Sequence, residues 1–312
     1  MAGTAAAGTT EKWETLKDGL EVYTKTWLTN SPPVAQIFFI HGFSDHCNAY
    51  GLFPSTVAAQ GIEFYSFDQR GWGETCVRSN KKEKTTRHSG NSGPTSLVLS
   101  DISELLEPRL AAHPGIPCYL AGHSMGGGIA LTYAIHGTHK NALAGTIVWS
   151  PMIDFAKENS PGFIKISALK FGATLLPHKQ IVKSLPPEDM SRDPEVVEGF
   201  RNDPLCHNTG TLVAYADMIT RGQDLRNRHV AAEFLADKPV LVLHGSADKI
   251  TDHDSSKHFV ASLAQVKDKE FKSFDGWYHK LHNEPGEDKI TFANYVAAWI
   301  IQRSSGYVGS KL

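Results

Sequence analysis

Short runs of apolar residues recur along the chain, and segments with helical periodicity separate them. The apolar runs predict strands, and the periodic segments predict helices. Because most of the runs are continuously apolar, they are typical of a parallel sheet whose two faces are both covered by helices. The predicted strands are 21–28, 36–40, 64–67, 118–121, 145–149, 240–243 and 270–274, and the predicted helices are 48–60, 95–112, 125–136, 254–264 and 288–302.

One long segment interrupts this alternation. Residues from 152 to about 228 include several prolines and no convincing strand, which indicates helices and loops inserted between two strands. Within it, residues 163–176 are mostly apolar with a narrow polar stripe. This pattern fits a helix packed on the domain, and it also fits a cap helix with an apolar face toward lipid. The sequence therefore predicts an α/β fold with a mostly parallel central sheet, divided into core 1–151, helical cap 152–228, core 229–303 and flexible tail 304–312.

Composition and charge remove several classes of function. The 312 residues carry a formal net charge of −2, so no basic excess points to a nucleic acid partner. No apolar stretch approaches the roughly 18 to 20 residues that a membrane span needs. Residues 1–10 lack the features of a signal or transit peptide, and four cysteines without C-x-x-C spacing indicate reduced thiols in an intracellular protein. We expect neither a metal nor a cofactor, because the chain contains no dinucleotide fingerprint and no metal-ligand cluster.

The pentapeptide 122–126, GHSMG, is the most informative motif of the chain. It follows a predicted strand and precedes a predicted helix, which is the context in which G-x-S-x-G forms a nucleophile elbow. The glycines suit a turn so tight that side chains there would collide with neighbouring elements. Such a turn exposes the Ser124 hydroxyl and directs the Met125 amide into the same space. We therefore predict that Ser124 is a nucleophile.

A serine nucleophile requires a histidine that takes its proton and a carboxylate that orients the histidine. In this sheet architecture the three residues occur in the order serine, acid, histidine. Asp248 and His279 each follow a predicted strand, and together with Ser124 they fit this order. Asp154 is the rival acid and His282 is the rival base; we favour Asp248 and His279.

The negative charge that develops on the attacked carbonyl needs two backbone N–H donors. Met125, directly after the nucleophile, is the first candidate. The loop after strand 36–40 is expected to supply the second, and within its His-Gly-Phe sequence Phe43 is the favoured donor. The segment 68–73, DQRGWG, indicates a structural arginine–carboxylate brace with turn glycines.

Taken together, these motifs resemble the monoacylglycerol lipases of the α/β-hydrolase superfamily, and the match is closest to the fungal branch. The resemblance extends from about Trp13 to Gln302, with specific motifs around the triad and a looser match in the cap. It implies an α/β-hydrolase fold and the hydrolysis of monoacylglycerols to glycerol and free fatty acid. The matching segments are 39–43 (FIHGF), 67–73 (FDQRGWG), 122–128 (GHSMGGG), 202–205 (NDPL), 244–248 (HGSAD) and 278–284 (YHKLHNE).

The resemblance also implies roles for single residues. It assigns nucleophile, acid, base and two oxyanion donors, in that order, to Ser124, Asp248, His279, Phe43 and Met125. A mobile cap would cover an apolar acyl tunnel, to which we expect Leu169, Phe171 and Leu176 to contribute, and the cap could touch a membrane or a lipid droplet. Two alternatives stay open: a carboxylesterase or thioesterase for another peroxisomal acyl ester, and a non-catalytic binding module.

The last three residues, Ser310, Lys311 and Leu312, match a peroxisomal import signal. Ser304, Ser305 and Gly306, a few residues upstream, favour a flexible and accessible tail. We therefore expect a peroxisomal import receptor as a partner and a peroxisomal location. The alternative location is the cytoplasm or the surface of lipid droplets.

Overall fold

The predicted apolar runs assemble into one central sheet in the computed structural model, which describes residues 8–306. The strands, in chain order, are β1 Thr9–Thr15, β2 Glu21–Trp27, β3 Ala35–Ile40, β4 Ile62–Phe67, β5 Cys118–His123, β6 Gly145–Trp149, β7 Gln180–Val182, β8 Thr209–Thr211, β9 Val240–Gly245 and β10 Lys269–Phe274. Eight of them form the central sheet in the order β1-β2-β4-β3-β5-β6-β9-β10. Strand β2 is antiparallel to β1 and β4, and the other neighbours are parallel. The predicted α/β fold with a mostly parallel sheet is confirmed.

Each face of the sheet carries a hydrophobic core, because alternate side chains of a strand point to opposite sides. In β3, Phe38 and Ile40 pack into one core, whereas Ile37 and Phe39 pack into the other. All four side chains are almost completely buried. This burial on both faces explains why the central strands are continuously apolar in sequence.

Helices cover the sheet close to the predicted positions, with one exception. The helix predicted at 48–60 begins only at Phe53, because Gly51 has a φ of 53° and separates it from a 3-10 turn at Cys47–Tyr50. The helices are α1 Phe53–Ala59, α2 Gly73–Glu83, α3 Thr95–Ala112, α4 Met125–His136, α5 Gly162–Leu175, α6 Pro194–Asn202, α7 Leu212–Arg226, α8 Arg228–Ala231, α9 His253–Ser262 and α10 Asp288–Ser304.

The sequence pattern does not reveal β1 or α2. Strand β1 is exposed at every position except Glu14, which is partly buried, so it contains no apolar run. Helix α2 is mostly polar, and its buried residues are the small Gly73, Thr75 and Cys76. Elements that bury so little apolar surface leave no hydrophobic periodicity to detect.

The segment between β6 and β9, residues 152–228, is called the cap below. The expectation that it contains no strand is wrong in one detail, because β7 and β8 pair antiparallel with Gln180 opposite Thr211. Each of these strands is only three residues long, which is too short to show a period of two. Helix α7 anchors the cap, since Tyr215 and Met218 pack into the same core as one face of β3.

Helix α5 packs less extensively on the core than α7 does, because none of its residues is buried. Phe163 and Ile164 are 84% and 82% exposed, and Phe171 is 67% exposed. Exposed apolar side chains grouped on one helix form the kind of surface that binds another apolar partner. Across residues 8–306, no helix combines the length and the apolar character that crossing a membrane requires.

Candidate active site

Ser124 lies on a strained turn between β5 and α4. Its φ of 55° and ψ of −120° lie in a region that residues with side chains rarely adopt. The flanking glycines are required for space: a Cβ on Gly122 would lie 2.3 Å from the Gly126 carbonyl oxygen, and one on Gly126 would lie 2.1 Å from the Ile40 carbonyl oxygen. The Ser124 amide donates to the Trp149 carbonyl at 3.1 Å, which holds the turn against β6. The turn thus has the geometry of a nucleophile elbow.

Asp248 and His279 meet in the loops that follow the adjacent strands β9 and β10. Nδ1 of His279 lies 2.8 Å from Oδ2 of Asp248, and both side chains are almost inaccessible. With Nδ1–H donating to the carboxylate, Nε2 becomes the basic nitrogen of the imidazole. This is the orientation that a general base needs when a carboxylate fixes its tautomer.

Four further donors surround the Asp248 carboxylate. Oδ1 accepts the amides of Ile250 at 2.8 Å and Thr251 at 3.1 Å, while Oδ2 accepts the Thr251 hydroxyl at 3.0 Å. Nε2 of His244 also lies 3.1 Å from Oδ2. Burial alone would raise the pKa of Asp248, but the adjacent His279 and the hydrogen bond from His244 hold this pKa well below its usual range. The carboxylate is therefore ionised when it faces His279.

The rival acid and the rival base lie away from this pair. Asp154 is bonded instead to the Arg226 guanidinium and to the Phe155 amide. His282 is fully buried, and its Nδ1 accepts the indole N–H of Trp149 at 2.9 Å. Neither side chain contacts the Asp248 carboxylate, so the structure brings together the favoured acid and base rather than their rivals.

The two candidate oxyanion amides are placed by different means. Met125 is the first residue of α4, so its N–H has no acceptor within the helix. Phe43 follows Gly42, whose carbonyl accepts from Nδ1 of His41 at 2.8 Å. Nε2 of His41 accepts the Gln69 amide at 3.0 Å, which places the ring hydrogen on Nδ1. Because the Gly42 carbonyl and the Phe43 N–H share one planar peptide, this hydrogen bond also sets the direction of the Phe43 N–H.

Sequence reasoning missed several residues that support this arrangement. His41 orients the peptide before Phe43, and His244 adds a second imidazole to Asp248. The only sequence signal for His244 is its place four residues before Asp248 at the end of a strand. Arg70 of segment 68–73 forms the expected arginine–carboxylate brace with a carboxylate outside that segment, since it donates twice to Asp101 at 2.9 Å.

A cavity of about 230 Å³ reaches Ser124, Phe43 and Met125. Most of its remaining wall is apolar, with Met152, Phe155, Leu185, Pro186, Tyr215, Met218 and Ile250. Several of these residues belong to the cap, so the cap and the core together form the cavity. Its mostly apolar lining suits an apolar group of the substrate.

The structure does not bring Leu169, Phe171 and Leu176 to this cavity. Leu169 is partly buried and packs against the core, while Phe171 and Leu176 are 67% and 61% exposed. The apolar pattern correctly located the helix, but periodicity alone does not say which face of a cap helix points inward. The wall that faces Ser124 comes mainly from α7 and the cap loops instead.

One group within residues 8–306 has the side-chain types of a metal site. Candidate ligand atoms of His46, Asp203 and Cys206 lie within 4.8 Å of one another. Nε2 of His46 lies 2.9 Å from Oδ2 of Asp203, so an ordinary hydrogen bond accounts for the proximity of these two groups.

Comparison with known proteins places this geometry in a family. The model of the Hydrolase_4 family, described as serine aminopeptidase S33, matches residues 31–286. The "Putative monoglyceride lipase" of Schizosaccharomyces pombe is 37% identical over 286 residues, which cover 91% of this chain and 72% of the relative. The chain belongs to the Hydrolase_4 family and, within it, to the monoglyceride lipases. The family membership predicted from the sequence is confirmed.

Two further relatives support membership of the monoglyceride lipases. The human monoglyceride lipase is 28% identical over 292 residues, which cover 92% of this chain and 89% of the relative. A crystal structure of a soluble variant of the Saccharomyces cerevisiae monoglyceride lipase, in complex with a substrate analog, superimposes with a TM-score of 0.86 at 26% identity. That superposition covers 98% of this chain and 97% of the yeast chain, so the similarity includes the cap as well as the core.

Proposed function

We propose that this monoglyceride lipase family member is a serine hydrolase that cleaves monoacylglycerols to glycerol and free fatty acid. The observation that carries the proposal is the mostly apolar cavity lined by Ser124 and Thr251, together with the buried Asp248–His279 pair that Thr251 contacts. The names of its relatives in fungi and mammals support the same substrate. No second substrate class is favoured by a comparable observation.

In the first half of the proposed reaction, Ser124 Oγ attacks the ester carbonyl and His279 Nε2 takes the hydroxyl proton. Asp248 stays ionised and stabilises the imidazolium that forms, consistent with its lowered pKa. The N–H groups of Phe43 and Met125 donate to the oxygen that becomes negative. His279 then gives its proton to the glycerol oxygen, glycerol leaves, and an acyl ester remains on Ser124.

In the second half, a water molecule replaces glycerol. His279 takes a proton from the water, whose oxygen attacks the acyl carbonyl, and the fatty acid departs as Ser124 regains its proton. The acyl chain stays in the cavity throughout, against Met152, Met218 and Ile250. Each buried methylene contributes about 0.8 kcal/mol, so the cavity favours long acyl chains over short ones.

The substrate is tested with purified protein and a matched panel of esters. We expect the highest kcat/KM with monoacylglycerols. The values should be clearly lower with short-chain esters, and with triacylglycerols and acyl-CoA thioesters that carry the same acyl chain as the monoacylglycerol. Preference for the thioester would reject the monoacylglycerol proposal and leave a hydrolase with a different substrate. Failure of all substrates and of a fluorophosphonate probe would indicate a binding module.

We further propose that α5 docks on a lipid surface. Phe163, Ile164, Phe171 and Leu175 are all at least 64% exposed on this helix, and the apolar face of such a helix inserts favourably among lipid headgroups. Monoacylglycerols reside in membranes, so contact between the cap and a lipid surface would bring substrate to the cavity. The acidic overall charge of the protein makes apolar insertion, rather than attraction to anionic lipid, the expected driving force.

We also propose a peroxisomal location on the basis of Ser310, Lys311 and Leu312, which lie outside the described residues. The test compares an amino-terminal fluorescent fusion of the full chain with the same fusion lacking Leu312. Peroxisomal fluorescence that depends on Leu312 supports the proposal. Identical diffuse or lipid-droplet patterns for both fusions reject it.

A further inference from the structure

A buried ion pair joins the two loops on which the proposed chemistry depends. Asp45 lies in the loop that carries Phe43, and Lys280 directly follows His279. The Lys280 ammonium nitrogen lies 3.2 Å from Oδ2 of Asp45, and the two side chains are 4% and 2% exposed. A buried charge is strongly disfavoured without an opposite charge, so each member of the pair needs the other.

The Asp45 carboxylate also competes for a single hydrogen atom. Its Oδ2 lies 3.1 Å from the Tyr50 hydroxyl, and that hydroxyl lies 3.2 Å from Nδ1 of His123. The same hydroxyl oxygen accepts the Gly42 amide at 2.9 Å. A phenol has one hydrogen, so Tyr50 donates either to Asp45 or to His123 at any moment.

The partner to which Tyr50 donates its hydrogen matters, because the other nitrogen of His123 faces the loop that carries His279. Nε2 of His123 lies 3.2 Å from the backbone carbonyl oxygen of His279. A carbonyl oxygen only accepts, so the contact requires a hydrogen on Nε2. Burial lowers the pKa of His123 well below its usual range, so the neutral ring carries one hydrogen. Nδ1 must then accept, and the Tyr50 hydroxyl is the donor within reach.

We infer that Lys280 is a positioning residue for the proposed hydrolysis. By compensating the Asp45 carboxylate, its ammonium group leaves the Tyr50 hydrogen for His123, which then donates from Nε2 to the His279 carbonyl. Lys280 touches no reacting atom and acts on the backbone of the general base through this chain of hydrogen bonds. The kinetic consequence rests on the proposed function, whereas the order of the hydrogen bonds does not.

The tautomer of His123 tests the hydrogen-bond order directly. The full chain is labelled with ¹⁵N in histidine, and the ring signals of His123 are assigned by their loss in His123→Gln. We expect the Nε2–H tautomer in the wild-type protein and, at a pH high enough to keep Asp45 ionised, the Nδ1–H tautomer in Lys280→Met. A wild-type ring that carries its hydrogen on Nδ1 overturns the inference, whatever the substrate of the enzyme is.

Kinetic measurements on the best soluble ester test whether Lys280 positions His279 for the proposed hydrolysis. We expect Lys280→Met to lower kcat by at least about tenfold with KM changed by less than about twofold. The double variant Lys280→Met/Asp45→Asn should recover most of this loss, because the amide no longer competes for the Tyr50 hydrogen and can donate to the Tyr50 oxygen. The control is Lys289→Met, which removes a partly buried lysine paired with Asp193 at 3.3 Å and should keep the wild-type kcat.

Two outcomes separate this inference from the proposed function. A folded Lys280→Met protein with the wild-type kcat, or a double variant slower than the single one, overturns the positioning role. A protein that hydrolyses no ester while both tautomers are as expected rejects the proposed function and supports the hydrogen-bond order.

Discussion

At the scale of single residues, the candidate oxyanion site depends on a peptide plane that the buried His41 holds through the Gly42 carbonyl. We expect His41→Ala to lower kcat on a soluble short-chain ester by about 10- to 100-fold with little change in KM, because the misaimed Phe43 N–H acts mainly in the transition state. The exposed His258→Ala serves as the control and should keep the wild-type kcat. An unchanged kcat in His41→Ala would show that the Phe43 peptide needs no such support.

The two candidate acids are a matched pair for a second test. Asp248 faces His279, whereas Asp154 faces Arg226 and does not contact the Asp248–His279 pair. We expect Asp248→Asn to lower kcat by about 10³- to 10⁴-fold, because an amide no longer holds the imidazole in the required tautomer. Asp154→Asn should retain kcat, and both are measured on the same ester. The opposite ranking would mean that the acid has been assigned to the wrong strand.

The sequence was sufficient to select Ser124, Asp248 and His279 as candidates, because each follows an apolar strand in the required order. It could not reveal His41 or His244 as supporting groups. Their contacts depend on side-chain directions and on loops distant in sequence, such as the Gln69 amide that fixes the His41 tautomer. A motif records which residues approach the reacting atoms, while hydrogen bonds behind them appear only in three dimensions.

At the scale of elements, prediction succeeded where the side chains form an apolar pattern and failed where they do not. Strand β3, buried on both faces, was predicted to within one residue, whereas the exposed β1 left no signal. Helix α5 was also located, but the residues expected to face the acyl path, such as Phe171, are exposed. Hydrophobic periodicity reports that a face is apolar, and it does not report whether protein or lipid covers that face.

Helix α5 provides the test of lipid docking. We expect Phe163→Glu/Ile164→Glu to reduce binding to phosphatidylcholine vesicles by at least about tenfold, since burying each such side chain is worth about 1.5 to 3 kcal/mol. Activity on vesicle-bound monoacylglycerol should fall with it, while activity on a soluble ester should not. Ser167→Glu/Thr174→Glu adds the same two negative charges at exposed polar positions of the helix and is the control. Equal loss on both substrates would point to damage of the cap itself.

At the scale of the whole molecule, buried neutral histidines link stability to pH. Burial lowers the pKa of His123 and His282 well below the usual value of 6.5. Below about pH 6.5 the unfolded chain therefore binds protons at these positions while the folded chain does not. We expect the free energy of unfolding to fall by up to about 1.4 kcal/mol per pH unit for each histidine, from about pH 6.5 downward.

The contribution of one of these histidines is isolated by His282→Gln, whose amide can still accept the Trp149 indole hydrogen. Urea unfolding between pH 7 and pH 5 should give a shallower pH dependence for this variant than for the wild-type protein. The exposed His258→Gln should leave the dependence unchanged. Identical slopes for wild type and His282→Gln would mean that His282 is not held neutral in the folded state.

The central claim is that monoacylglycerol is hydrolysed through an acyl ester on Ser124. The most direct measurement is the initial rate of fatty acid release from a long-chain monoacylglycerol by purified wild-type protein and by Ser124→Ala, with folding of both verified. We expect rapid release by the wild-type protein and a rate lower by at least about 10³-fold in Ser124→Ala, because the triad acts as a unit. Comparable rates for the two proteins, or no release by the wild-type protein, would contradict the claim.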